Sequence, residues 1–255
     1  MMTVARVETM RHNAENFSKC PARSDAVSRP DRPDHVNPWA MQLVIRRNKQ
    51  DPANHVDVLE AAATAVVRLL DDHRTIQDTS VWSEAVAHWR AGWIRKVARR
   101  AENKRWDDVQ QLDGVNASSG TAEVRALVPG PVAPLPPEVK KLQVGGTEFP
   151  RLHDSQHHDA VVTVELTPFA DLSTGKAAAQ AGHAAQIAYE RLTASAHTGD
   201  PAAAQILDAW CQDEFRIRVQ LPSTSQWSAA ERPVRVIDAG LTEVSGATET
   251  SRAFW

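Results

Sequence analysis

At 255 residues the chain is long enough to bury a sizeable core, as one large domain or two small ones. Hydrophobic residues make up 42% and charged residues 24%, and no apolar run nears the roughly 20 residues that span a bilayer, so no transmembrane helix is expected. A formal net charge of −3 argues against a protein that coats nucleic acid, because neutralising phosphates takes clustered Lys and Arg.

Residues 1–37 are polar, carry Pro21, Pro30 and Pro33, lack periodicity and contain no apolar block; they read as a disordered tail without a secretory signal. Cys20 and Cys211 form neither a disulfide framework nor a zinc pattern, which suits a reducing cytoplasm. Met41 to Ile45 predicts a strand, and Val56 to Leu70, rich in Ala, Val and Leu, predicts a helix that Asp51 or Asn54 would cap. Val81 to Arg105 reads as a second helix, and Val124 to Val128 as a strand ended by Pro129-Gly130-Pro131. Residues 129–160, rich in proline, glycine and histidine, read as a linker. Their His153, Asp154, His157, His158 and Asp159 match no zinc spacing and are assigned to solvent; no metal and no cofactor are expected.

A second series follows. Val161 to Leu166 predicts a strand, Gly175 to Leu192 an Ala-rich helix and Ala202 to Gln212 another helix. Phe215, Ile217, Val219 and Leu221 alternate with polar residues as a half-buried strand does, and Pro233 to Asp238 predicts one more. The two series echo each other in order: Trp93 to Val97 parallels Phe215 to Val219, and Ser119 to Ala126 parallels Ser245 to Ala253 with one gap. The repeat conflicts with the helix over Val81 to Arg105, since Phe215 to Val219 is a strand. The expectation is an α/β fold in which a small mixed β-sheet flanked by helices is duplicated within the chain. Its parts would be a tail (1–37), a degenerate half (38–150) and a second half (151–255), giving a monomer of pseudo-dimeric halves or a homodimer.

The chemistry-bearing segment is Ala170 to Ala184. A helix beginning near Gly175 has first-turn N–H groups without intrahelical partners, which can hold an anion, and Lys176 adds charge there. Lys176, Gln180 and His183 share a helix face. It is not a nucleotide-binding phosphate loop, because Ala170 and Ala177 occupy the places of the required glycine and hydroxyl residue. Asp238-Ala239-Gly240-Leu241-Thr242 ends a strand, where ligands of open α/β sheets gather, and Thr248 and Thr250 follow. Read alone, Lys176 is a solvated charge at a helix start, His183 a satisfied histidine, and Asp238 either a turn stabiliser or a catalyst.

Together these segments resemble the second family of peptidyl-tRNA hydrolases, whose members carry a Gly-Lys-x-Ala-Ala-Gln-x-x-His-Ala helix start and an Asp-Ala-Gly-x-Thr turn. Gly175, Lys176, Ala178, Ala179, Gln180, His183 and Ala184 match the first, and Asp238, Ala239, Gly240 and Thr242 the second. The chain departs from the pattern at Thr167, Asp171 and Thr174, where the family carries positive charge; Arg46, Arg47 and Lys49 of the first half are candidates to replace it. The resemblance implies hydrolysis of the ester joining a peptide to the 3′ ribose of tRNA, or a tRNA-binding protein derived from the family that has lost catalysis. It casts Lys176, Asp238, Thr242 and Thr250 as catalytic and Thr174 and Gly175 as RNA-binding. The basic run from Arg90 to Arg105, with Trp89, Trp93 and Trp106 among the charges, adds Arg95 and Arg99 as RNA contacts, or else is a solvated face over core tryptophans.

Overall fold

A computed structural model describes residues 34–77, 79–238 and 246–255. Most of the expected tail, with Cys20, and the stretch containing Ala239, Gly240 and Thr242 lie outside the described residues.

The first half contains β1 (Trp39–Arg46), α1 (His55–Asp71), α2 (His73–Ile76), α3 (Val81–Ala91), β2 (Arg95–Ala101), α4 (Lys104–Val109), β3 (Gly114–Ser119) and β4 (Ala122–Leu127). A connecting segment carries β5 (Gly130–Pro131) and α5 (Pro137–Lys140). The second half contains β6 (Val162–Leu166), α6 (Thr174–His197), α7 (Pro201–Gln212), β7 (Ile217–Gln220), α8 (Thr224–Ser228), β8 (Val234–Asp238) and β9 (Thr248–Phe254). The result is an α/β protein with two small mixed sheets flanked by helices.

The strand orders are β2-β1-β4-β3 and β7-β6-β9-β8, each with one parallel and two antiparallel pairings along that order, and the short β5 adds a further antiparallel pairing to β1 in the first sheet. Leu43 sits between Ala98 and Ala126, and Val164 sits between Val219 and Ala253. Trp89 donates its indole N–H to the carbonyl of Arg95, six residues on, and Trp210 does the same to Arg216, both at 3.0 Å. A shared strand order, register and buried-tryptophan contact support internal duplication, with Arg125 and Ala126 in the places of Arg252 and Ala253.

Alanine decides how the halves meet. α1 and α6 pack on each other, and each also touches a strand of the opposite half: α1 meets β7, and α6 meets β2. Nearly every residue of α1 is buried, as expected for a helix with no solvent face. Ala61, Ala62, Ala65, Ala178, Ala181, Ala184 and Ala185 are fully buried and let the two backbones approach closely. At Gly182 a Cβ would lie 3.1 Å from Val66 and 3.2 Å from the Lys96 stem, so only glycine fits without displacing them. One hydrophobic cluster runs from Met41 through both helices to Ala253.

Three expectations are corrected. The helix expected over Val81 to Arg105 ends at Ala91, where the Gly92 N–H closes the last turn on Trp89, and the chain then re-enters the sheet as β2 beside β1. Trp89 and Trp106 are core and Trp93, partly exposed, lies under the Arg95 guanidinium, so the basic run is a strand and not a helix face with stacking tryptophans. The linker is packed: Val139, Leu142, Thr147, Phe149 and Ser155 are buried, and a second small cluster joins Val139 and Leu142 to Val44, Trp106, Val109 and Leu127. Order also begins before residue 38, since Asp34 ion-pairs with Arg95 at 2.5 Å and the His35 ring stacks on His88. β3, β9 and the short helices α2, α5 and α8 had no clear counterpart in the sequence pattern.

Candidate functional site

Lys176, Gln180, Asp238 and Thr250 meet at one edge of the second sheet. Ser173 caps α6 by accepting the Lys176 N–H at 3.2 Å, which fixes the first turn, and Lys176 and Gln180 then share the face turned to β8 and β9. Lys176 Nζ lies 2.5 Å from Asp238 Oδ2, and Gln180 Nε2 donates to the same oxygen at 2.8 Å. The Thr250 hydroxyl donates to Gln180 Oε1 at 2.8 Å, and Ser251 donates to the Gln180 carbonyl. Gln180 thus uses its donor on the aspartate and its acceptor on the threonine, linking strand end to strand start. Lys176 and Asp238 keep 16% and 12% of their side-chain surface, enough to meet a ligand from outside. Thr248 is partly buried, and its hydroxyl bonds the Gly246 carbonyl at 3.3 Å rather than this cluster.

The start of α6 does not offer its N–H groups to an anion. Thr174 N–H points at Glu148 Oε2 (3.2 Å) and Gly175 N–H at the Thr147 carbonyl (3.0 Å). Thr174 is fully buried, and its hydroxyl also bonds Glu148, Phe149 N–H and His55 Nδ1. The connecting segment therefore closes this helix start from inside, and Thr174 and Gly175 are not surface groups. The same segment serves α1: the Pro150 carbonyl accepts the His55 N–H at 2.8 Å, and Asn54 exchanges hydrogen bonds with Leu152 and His153.

The other expected RNA contacts are also engaged. Arg95 pairs with Asp34 beside the Trp93 ring, and Arg99 donates to Gln42 at 2.7 Å and to the Leu142 carbonyl at 3.1 Å. Arg46 pairs with Glu123, and Arg47 and Lys49 pair with Glu102, so these cations serve their own half rather than Asp238.

In the first half, Glu60 and Ser119 stand where the second half has Gln180 and Asp238. Ser119, the last residue of β3, donates to Glu60 Oε2 at 2.7 Å, and His157 Nε2 closes over both at 2.8 and 3.3 Å. Glu60 Oε1 accepts the Val219 N–H of β7 at 3.1 Å, tying the halves together. Val56, rather than a lysine, occupies the first turn of α1, so the cation is not repeated. Among the described residues no group of three or more His, Cys, Asp or Glu is placed to hold a metal ion.

A lysine and two histidines pack near the site, Lys96 and His55 buried and His183 partly exposed. Lys96 Nζ donates to His183 Nδ1 (3.1 Å) and Gln186 Oε1 (2.5 Å) and lies over the Trp89 ring. Burial pushes its ammonium down to about 7, Glu190 opposing and Arg90 assisting. Burial, then the charges of Lys96 and Lys176, hold His183 well below its ordinary range. Burial, then Arg151, lowers His55 to about 4, against a smaller opposing effect of Asp171. The unfolded chain takes up the His55 proton near 6.5 and the folded chain only near 4, so the contribution of this group is flat above pH 6.5 and falls below it, by about 3 kcal/mol at pH 4. His183 adds a loss of the same sign. Urea unfolding at pH 7.5 and 4.5 is expected to show a smaller acid loss in His55→Gln than in the intact chain; equal losses would show that His55 is not the titrating group.

No family model matches the chain, and no curated protein or solved structure is significantly similar to it.

Proposed function

We propose that this chain is a peptidyl-tRNA hydrolase, cleaving without a cofactor the ester between a peptide and the 3′ ribose of tRNA. The observation that carries the reading is the hydrogen-bonded chain Lys176–Asp238–Gln180–Thr250, which joins the two segments of the family resemblance at one partly exposed strand edge. In this reading Asp238 orients a water and accepts its proton as the oxygen attacks the ester carbonyl. The carbonyl oxygen becomes an oxyanion facing the Lys176 ammonium, and collapse breaks the bond to the ribose oxygen. That oxygen leaves with the proton from Asp238, so one water is consumed, and a peptide carboxyl group and a ribose hydroxyl are formed.

A second reading, a tRNA-binding protein derived from the family that has lost catalysis, is favoured by one observation: the α6 start that would hold an anion is filled by Thr147 and Glu148. Incubating the pure protein with an N-blocked aminoacyl-tRNA separates the two. Release by the intact chain and its loss in Asp238→Ala are expected, whereas tRNA binding without release by the intact chain selects the second reading. With one candidate site in the second half and α1 against α6 inside the chain, a cytoplasmic monomer of two unequal halves is the form in which this activity is proposed.

A further inference from the structure

Lys96 crosses from the first half into the second. Its side chain leaves β2, runs past Gly182 and ends against α6. The nitrogen is 3.1 Å from His183 Nδ1 and 2.5 Å from Gln186 Oε1 and lies over the Trp89 ring, with 8% of the residue exposed. Among the described residues no carboxylate comes within ion-pairing distance of it. Glu190, which acts on it from α6, is already bonded to Arg90 and to the Gln186 amide, at 2.9 Å each. A buried ammonium without a carboxylate partner is poised to give up its proton.

His183 stands on the face of α6 that carries Lys176 and Gln180, three positions after Gln180. The Lys176 charge acts on its ring, so the ring is an electrostatic neighbour of the candidate site. Burial and the charges of Lys96 and Lys176 keep that ring unprotonated at ordinary pH. A neutral imidazole has one N–H and one lone pair, and the group that meets Nδ1 decides which nitrogen holds which.

We propose that Lys96 and His183 form a proton switch at the seam between the halves, in which the state of the Lys96 amine selects the tautomer of the His183 ring. The ammonium donates to Nδ1, so the ring proton sits on Nε2. Once the ammonium has lost one proton to solvent, the amine lone pair accepts from Nδ1–H instead, and Nε2 carries the lone pair. The ring holds one proton throughout, exchanging its place through water, and the amine keeps an N–H for Gln186. The charged groups that face the pair are Glu190 and Arg90 for Lys96, and Lys176 for His183. The consequence for the candidate site rests on the hydrolase reading. A lone pair at Nε2 favours the Lys176 ammonium on the shared face, and neutral Lys96 removes a like charge from the seam, so ester release rises through neutral pH.

The test is nitrogen NMR of the intact chain labelled at histidine, from pH 6 to 9, because the Nδ1 and Nε2 shifts of a neutral ring distinguish its tautomers. The His183 signals are assigned by their loss in His183→Gln. The two shifts are expected to exchange character with a midpoint near 7. They are expected to stay fixed in Lys96→Met, which keeps an unbranched stem and removes the amine; unchanged thermal unfolding confirms that variant as folded. Shifts that do not move in the intact chain, that move equally in Lys96→Met, or that converge on those of an imidazolium overturn the switch. Single-turnover release from N-blocked aminoacyl-tRNA is expected to rise about tenfold from pH 6 to 8, following the neutral fraction of a group that titrates near 7, and to lose that rise in Lys96→Met. Tautomer exchange without any ester release upholds the switch and removes the hydrolase reading. Release with a fixed tautomer overturns the switch alone, and release whose pH profile is the same with and without Lys96 overturns its hold on the site.

Discussion

Exchanging Lys176 for methionine is expected to slow ester release by two to three orders of magnitude, the loss typical of one preorganised donor at a developing oxyanion. Methionine keeps the unbranched stem that packs in the first turn and removes only the charge. Asp238 then retains the Gln180 amide, 2.8 Å away, but loses the ammonium at 2.5 Å. Arginine at 176 is not expected to restore the rate, because its fork is a different shape from a compact ammonium that must serve both Asp238 and the substrate. Gln180→Ala is expected to cost less, since it leaves the ion pair and removes the link to Thr250. Groups that act as a unit are not additive, so Lys176→Met combined with Asp238→Asn is expected to be no slower than the worse single variant. Single-turnover rates measure each of these, and a Lys176→Met protein within twofold of the intact chain removes Lys176 from the mechanism.

How much of this was readable depended on whether the deciding contact was local. β7 was legible because its burial alternates with the pleat, and α6 because Ser173, the alanines and the Lys176 to Gln180 spacing all act within one helix. β2 was not: Arg95, Lys96, Arg99 and Arg100 read as a polar helix face. What makes them a strand is pairing with β1 and the burial of Lys96 against His183 and Gln186 of the other half, about ninety positions on. The repeat held the right signal, since the match of Trp93–Val97 to Phe215–Val219 implied a strand where periodicity implied a helix. The packed connecting segment failed for a related reason. Proline and histidine mark a solvated loop by composition, yet Thr147, Glu148 and Pro150 are held in place by backbone groups of two helix starts. At the site, Lys176, Gln180, Asp238 and Thr250 come together across about sixty to seventy positions; only the family resemblance joined them in the sequence.

Glu165→Ala is expected to destabilise the protein by about 3–5 kcal/mol, the cost of leaving a buried charge without its partner. Glu165 Oε2 accepts from Arg252 Nε at 2.6 Å and Oε1 accepts from Arg232 at 2.8 Å, and both Glu165 and Arg252 are almost fully buried. Arg252 also donates to the carbonyls of Trp227 and Ala230, so the carboxylate anchors β6, β9 and the α8 loop together. Burial alone would raise the Glu165 pKa, but Arg232 and Arg252 outweigh it and hold it below the ordinary value of 4.5. A carboxylate depressed on folding gives stability that is full above the unfolded value and lost as pH falls through it, so Glu165→Ala loses most at pH 7 and least at pH 3. The first half shows that the position does not demand charge. Val44 occupies it opposite Arg125, and that arginine is held by the Leu112 carbonyl and Asn116 instead. The paired replacement Glu165→Met with Arg252→Met is therefore expected to recover most of the loss, because no fully buried charge is left stranded and Arg232, whose side chain is 23% exposed, can turn to water. Urea unfolding of the two variants at pH 7 decides it. A Glu165→Ala loss below about 1 kcal/mol, the scale of an exposed pair, would mean that water reaches Arg252 and that the strand pairing stands without the ion pair.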